Sequence, residues 1–213
     1  NDTTINPGSG GTLTLRTTAL TPGGPEITVG NRTAIVNVNL AGTQGFTRAG
    51  AGTLALGGDL TGLSGTVSLT VNTTQLLIAG TSGGSFTGGQ NADWVLSGSA
   101  ALITNNGSSG SAYTVNLGSL ASSSAAAVLR NGGNGTGVAT FVIGARNTDT
   151  TFAGTIVFNG ASGRTAVTKV GTGTLTLTGA NTYTGTTTVN AGTLRLQSAN
   201  ALVGGNAVAF GAG

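Results

Sequence analysis

Apolar and polar residues alternate along this chain in short bursts. In Thr53-Leu54-Ala55-Leu56 the leucines fall on one parity and Thr53 and Ala55 on the other, and Thr174-Leu175-Thr176-Leu177 repeats the arrangement. A period of two is that of a β-strand, so Leu54, Leu56, Leu175 and Leu177 are expected to point inward and Thr176 outward. Comparable runs bounded by Gly or Asn clusters predict strands over 35–40, 67–71, 75–78, 113–117, 139–143 and 155–158. No stretch carries a convincing helical period. Between Leu117 and Leu129 the run Ser122-Ser123-Ser124-Ala125-Ala126-Ala127 is open to one helical turn or a loop, and no cap or charge pair favours the helix.

The alternating segments recur inside a longer pattern. Phe46-Thr47-Arg48-Ala49-Gly50-Ala51-Gly52-Thr53-Leu54-Ala55-Leu56 and Val167-Thr168-Lys169-Val170-Gly171-Thr172-Gly173-Thr174-Leu175-Thr176-Leu177 both read apolar-Thr-basic-x-Gly-x-Gly-Thr-Leu-x-Leu. Gly11-Thr12-Leu13-Thr14-Leu15 and Gly192-Thr193-Leu194-Arg195-Leu196 repeat the tail of it. A second theme, Phe152-Ala153-Gly154-Thr155-Ile156, has a looser echo at Leu63-Ser64-Gly65-Thr66-Val67. Internal repetition of this kind argues for stacked units that bury their apolar faces on one another.

Composition narrows the architecture. The 213 residues are 38% apolar and only 6% charged, which is not the signature of disorder, and the 40 glycines do not recur at every third position, which excludes collagen. A β-sandwich must fill a gap of roughly 10 Å with bulky side chains, and one Trp, two Tyr and six Phe are few for that task. A solenoid has a thin core, in which each coil lays its inward Leu, Val and Ile on the next about 4.8 Å away, and Gly serves the corners. The prediction is therefore an all-β fold, a parallel β-solenoid of imperfect Gly/Thr-rich repeats running as one unit over 1–213. A shallow sandwich is the alternative.

The segment from Lys169 to Leu194, Lys169-Val170-Gly171-Thr172-Gly173-Thr174-Leu175-Thr176-Leu177-Thr178-Gly179-Ala180-Asn181-Thr182-Tyr183-Thr184-Gly185-Thr186-Thr187-Thr188-Val189-Asn190-Ala191-Gly192-Thr193-Leu194, closely resembles the autotransporter-associated β-strand repeat, also called the passenger-associated transport repeat. The resemblance is specific over 147–196. It is partial over 46–78, where Asp59-Leu60-Thr61-Gly62 stands in place of the Ala-Asn-Thr-Tyr turn, and only compositional between Gly80 and Gly137. It implies a right-handed parallel β-helix in a large bacterial surface or secreted protein. The handedness belongs to the resemblance, since periodicity does not give it.

Catalytic chemistry finds little to work with. There is no Cys and no His, which removes thiol chemistry, thiolate metal sites and the commonest general base. Polysaccharide cleavage needs convergent carboxylates, and the five acids Asp2, Glu26, Asp59, Asp93 and Asp149 are scattered. Coiling could still bring Asp59 and Asp93 together, although Asp59 and Asp149 suit turns beside Gly and Thr. Gly80-Thr81-Ser82-Gly83-Gly84 fits the G-x-S-x-G nucleophile pattern but lacks its histidine and its helix. Gly88-Gly89-Gln90-Asn91-Ala92-Asp93 approaches a calcium repeat and lacks its third Gly. No catalytic, cofactor-binding or metal-ligating residue is assigned, and no cofactor is expected.

Binding signals are equally sparse. The net charge of +3 comes from dispersed residues, unlike the clustered bases of nucleic-acid binders. Arg16, Arg32 and Arg48 are sixteen residues apart, and Arg130, Arg146 and Arg164 nearly repeat the interval. A coil of that length would stack each trio into a basic ladder able to hold an acidic glycan, although stacked like charges repel. Tyr183 and Trp94 could stack on sugars, but Tyr183 fits a structural turn and Trp94 opens an alternating strand.

The expectation is an extracellular or bacterial cell-surface structural element: a stalk, fibre or passenger scaffold and not an enzyme. An adhesin or glycan-binding module is the alternative, and a polysaccharide-degrading β-helix the third reading. No apolar run is long enough to span a bilayer as a helix. The chain opens Asn1-Asp2-Thr3-Thr4 without Met, and the repeats run on towards Gly213 with no evident polar cap. It is therefore expected to be a segment of a longer repeat protein, or a filament subunit whose ends continue the ladder.

Overall fold

A computed structural model describes residues 3–5, 12–14, 25–31, 33–70, 75–78, 88–104, 112–132, 136–158, 164–202 and 207–211. The described chain is a succession of short strands with no helix among them, and every strand pairing is parallel. Alternation therefore wins over any helical reading, including at Ser122 to Ala127. That segment is a turn, tied by the Ser124 N–H donating to Ser122 Oγ (3.0 Å) and Ser122 Oγ donating to the Ser124 carbonyl (3.1 Å).

The strands follow one another around three faces. The first coil holds β1 (Thr3–Ile5), β2 (Thr12–Thr14) and β3 (Glu26–Thr28), and the second β4 (Thr33–Val36), β5 (Asn39–Ala41) and β6 (Gly45–Ala49). Next come β7 (Thr53–Leu56) and β8 (Gly65–Leu69), then β9 (Gln75–Ile78) and β10 (Ala92–Leu96). The middle coils are β11 (Ala101–Thr104), β12 (Tyr113–Leu117) and β13 (Ser119–Ala121), then β14 (Val128–Asn131), β15 (Val138–Ile143) and β16 (Thr150–Phe152). The last are β17 (Thr155–Val157), β18 (Arg164–Lys169) and β19 (Thr174–Leu177), followed by β20 (Thr187–Val189), β21 (Thr193–Leu196) and β22 (Val208–Phe210).

One face is the seven-stranded sheet β1-β4-β7-β9-β11-β14-β17. The second begins as β2-β5, passes through the Leu60–Gly88 bridge and resumes as β12-β15-β18-β20-β22. The third runs β3-β6-β8-β10-β13, crosses the Ser122–Phe152 bridge and ends as β16-β19-β21. This is a parallel β-solenoid. Its coils are uneven: Thr174 pairs with Thr193, 19 residues on, whereas Val128 pairs with Thr155, 27 residues on.

The core is a set of apolar columns along the axis. Leu54, Leu76, Leu102, Leu129 and Ile156 stack in register on the first face, and Phe46, Val67, Trp94 and Leu120 on the third. The inward leucines 54, 56, 175 and 177 are buried as their parity requires. Thr176 keeps the outward parity but is only 8% exposed, because Thr151 and Arg195 flank it in register on the adjacent strands. No helix among the described residues is long and apolar enough to cross a membrane.

Candidate functional site

The two full copies of the repeat turn different corners of the solenoid. Phe46 to Leu56 passes from β6 on the third face to β7 on the first, and Val167 to Leu177 passes from β18 on the second face to β19 on the third. The motif is therefore a local corner unit and does not mark a fixed place on the coil. In both copies the chain enters left-handed space two residues after the basic residue, at Gly50 (φ 86°) and Gly171 (φ 69°). A Cβ on Gly171 would collide with the Gly144 carbonyl oxygen of the preceding coil, so glycine is required twice over there.

The basic residues lie inside. Arg48 is fully buried and Lys169 is 1% exposed. Arg48 replaces an apolar residue in the inward column Ile27–Arg48–Leu69–Leu96, and Lys169 does so in Ile143–Lys169–Val189–Phe210. Among the described residues neither forms an ion pair with a carboxylate; the one ion pair there is Arg146 with Asp93. Their partners are backbone carbonyls of the glycine corner. Arg48 donates through Nη1 to Ala49 O and to Gly50 O (3.0 Å) and through Nη2 to Gly52 O. Lys169 Nζ donates to Val170 O (2.6 Å), Gly171 O (2.8 Å) and, one coil on, Ala191 O (3.3 Å). Burial holds both cations below their ordinary pKa values, and for Lys169 the charge of Asp149 opposes that pull.

A second set of buried polar groups ties coils together. Asn181, 1% exposed, accepts from the Ile156 N–H (2.8 Å) on one coil and donates to the Ala201 carbonyl (2.6 Å) on another. Tyr183 is fully buried with its hydroxyl 2.6 Å from Thr187 Oγ1. Tyr113 reaches inward to Thr104 and donates to Asn131 Oδ1 (2.6 Å), and Asn131 Nδ2 continues to Gly137 O and Arg164 O (both 3.3 Å). Burial pushes the Tyr113 phenol up to about 12, opposed by its bond with Thr104, and raises that of Tyr183 as well.

The residues singled out as candidate chemistry fall apart as sites. Asp59 closes a turn, its Oδ1 accepting from the Thr61 N–H at 2.7 Å, and Asp149 accepts from the Thr174 N–H at 2.7 Å. Asp93 does not meet Asp59: its register neighbours are Thr66 and Ser119, and it accepts from Ser119 Oγ (2.7 Å) and pairs with Arg146 at 3.4 Å. Trp94 is core, with its indole N–H on the Gly89 carbonyl (3.0 Å). Ser82 lies outside the described residues.

Among the described residues the arginines do not stack as ladders. A sixteen-residue interval matches none of these coils, and Arg48 points into the core; Arg16 and Arg32 lie outside the described residues. Arg130 stacks between Ile103 and Val157 on the first face, Arg164 pairs with Val138 on the second, and Arg146 sits in a turn beside Asp93.

Sequence reasoning passed over Arg48 and Lys169 as interior groups. The signal was present in parity, since each stands two residues after an inward apolar residue, Phe46 or Val167. No curated protein and no solved structure matches the chain. Residues 167–196, which hold the Lys169 corner, Asn181, Tyr183 and the two stacked Thr-Leu-x-Leu strands, match the family model of the passenger-associated-transport-repeat.

Proposed function

We propose that this chain is a structural β-solenoid segment of an exported, surface-exposed or secreted protein, a stalk, fibre or passenger scaffold of the autotransporter kind, with no catalytic role. The observation that carries the reading is that the distinctive polar residues of the matched repeat are spent inside the coil. Lys169, Asn181, Tyr183 and Thr187 are all buried and bonded to backbone or to one another. A repeat whose signature is interior specifies a stack and leaves the outer surface free to vary.

The last described strands present an apolar surface. Leu196, Val208 and Phe210 occupy inward columns yet are 43%, 46% and 80% exposed. Electron microscopy of the purified chain, with sedimentation over a range of concentrations, tests this reading. Rods about as thick as one solenoid are expected, and lengthening with concentration marks copies that join end to end. Compact particles without axial extension would refute the scaffold, and turnover of a polysaccharide would refute the absence of catalysis.

A further inference from the structure

The two interior cations raise a question that scaffolding alone does not answer. A buried charge is costly unless it is well paired, and apolar residues fill the same columns one coil away. The Lys169 corner shows what the charge faces. Three backbone carbonyls, those of Val170, Gly171 and Ala191, converge on one point within 2.6–3.3 Å. The glycines of the neighbouring coils leave the room: a Cβ on Gly192 would stand 2.8 Å from Nζ, and one on Gly144 3.2 Å. Both glycines are held at positive φ, 68° and 119°, and both stack along the axis with Gly171. A ring of backbone carbonyls with no carboxylate is the coordination chemistry of a monovalent cation, whose hydration shell the carbonyls replace.

We propose that the corner following β18 is a carbonyl-lined cation-binding cage whose resident ligand is the Lys169 ammonium, and that it takes up a free ammonium or small primary alkylammonium ion when that side chain is shortened. Arg48 fills the corresponding place at a different corner, so the cage is a property of the glycine turn and not of one face. The cation then has a stated task. The left-handed turn aims carbonyls into the core, and the ammonium supplies the donors they need. It also joins two successive coils, because Val170 and Gly171 belong to one turn and Ala191 to the next.

Lys169 is the chain's single lysine, so the intact protein reports on it directly. With an amine-reactive acylating reagent, Lys169 is expected to react at least about a hundredfold more slowly in the native protein than in the urea-unfolded chain at the same pH. Comparable rates in the two states would overturn the proposal. In Lys169→Ala, ammonium or ethylammonium chloride is expected to raise the melting midpoint saturably above that in tetramethylammonium chloride at equal ionic strength. Equal midpoints in all three salts would overturn it. Lys169→Met keeps the length and removes the donors, so it is expected to melt below the parent and to gain nothing from ammonium. A Met variant as stable as the parent would overturn the need for a cation. Should Lys169→Ala not fold, the acylation rates and the Met variant decide the question between them.

Discussion

Replacing Asn181 with Ala strikes the matched repeat at its inter-coil joint. Its side-chain oxygen holds the Ile156 N–H at 2.8 Å and its amide holds the Ala201 carbonyl at 2.6 Å, in a position 1% exposed. Each buried group left unpaired costs about 1–3 kcal/mol. Two of them give a loss of about 2–6 kcal/mol, in the range of deleting a core leucine. Global unfolding is a blunt reading in a stacked array, whose coils can open in parts. Hydrogen exchange at the Ile156 amide reads the joint itself. At tenfold for each 1.4 kcal/mol, even 2 kcal/mol lost accelerates exchange there by about thirtyfold, while strands far along the axis such as Thr53–Leu56 keep their protection. Unchanged exchange at Ile156, or an equal increase at Leu54, would refute the joint. Asn181→Asp retains the acceptor and loses the donor, and it is expected to unfold more readily as pH rises and the new carboxyl ionises in a buried place.

Leu175→Ala and Leu177→Ala are each expected to cost about 2–4 kcal/mol in urea melts, and Thr176→Ala less than about 1 kcal/mol, so equal losses at the three positions would contradict the parity. Gly171→Ala combines a left-handed backbone with a collision against the Gly144 carbonyl; a fall in the denaturation midpoint equivalent to more than about 2 kcal/mol is expected. Phenolate absorbance should appear late in the native protein, since burial holds Tyr113 up to about 12. A raised folded pKa means that the native state keeps its proton longer than the unfolded one. That contribution to stability is full below the ordinary value of 10.0 and is lost as pH climbs to about 12. Asp93→Asn removes an ion pair whose side chains are 28% and 42% exposed; its effect should stay within about 1 kcal/mol and shrink further in salt.

The alternation of Leu175 and Leu177 with Thr174 and Thr176 needed no structure, because in an extended chain parity is fixed by the next covalent bond. The strands 75–78 and 113–117 were legible for the same reason, and so was the exclusion of His- and Cys-based chemistry. Parity also marks Arg48 and Lys169 as inward, a sign the sequence reading passed over, because a charge in an apolar column is intelligible only once the carbonyls that receive it are seen. What the sequence by itself could not determine was which residues meet across coils. That depends on the length of each corner, and the coils vary from 19 residues, at Thr174 to Thr193, to 31, at Thr3 to Ala34. A regular sixteen-residue spacing of arginines consequently means nothing in space, while Asp93, Ser119 and Arg146, far apart in sequence, come together. The same variation carries one copy of the corner motif to the first face and another to the third. Local pattern decides which side of a strand is buried; the summed lengths of the turns decide what lies above and below it.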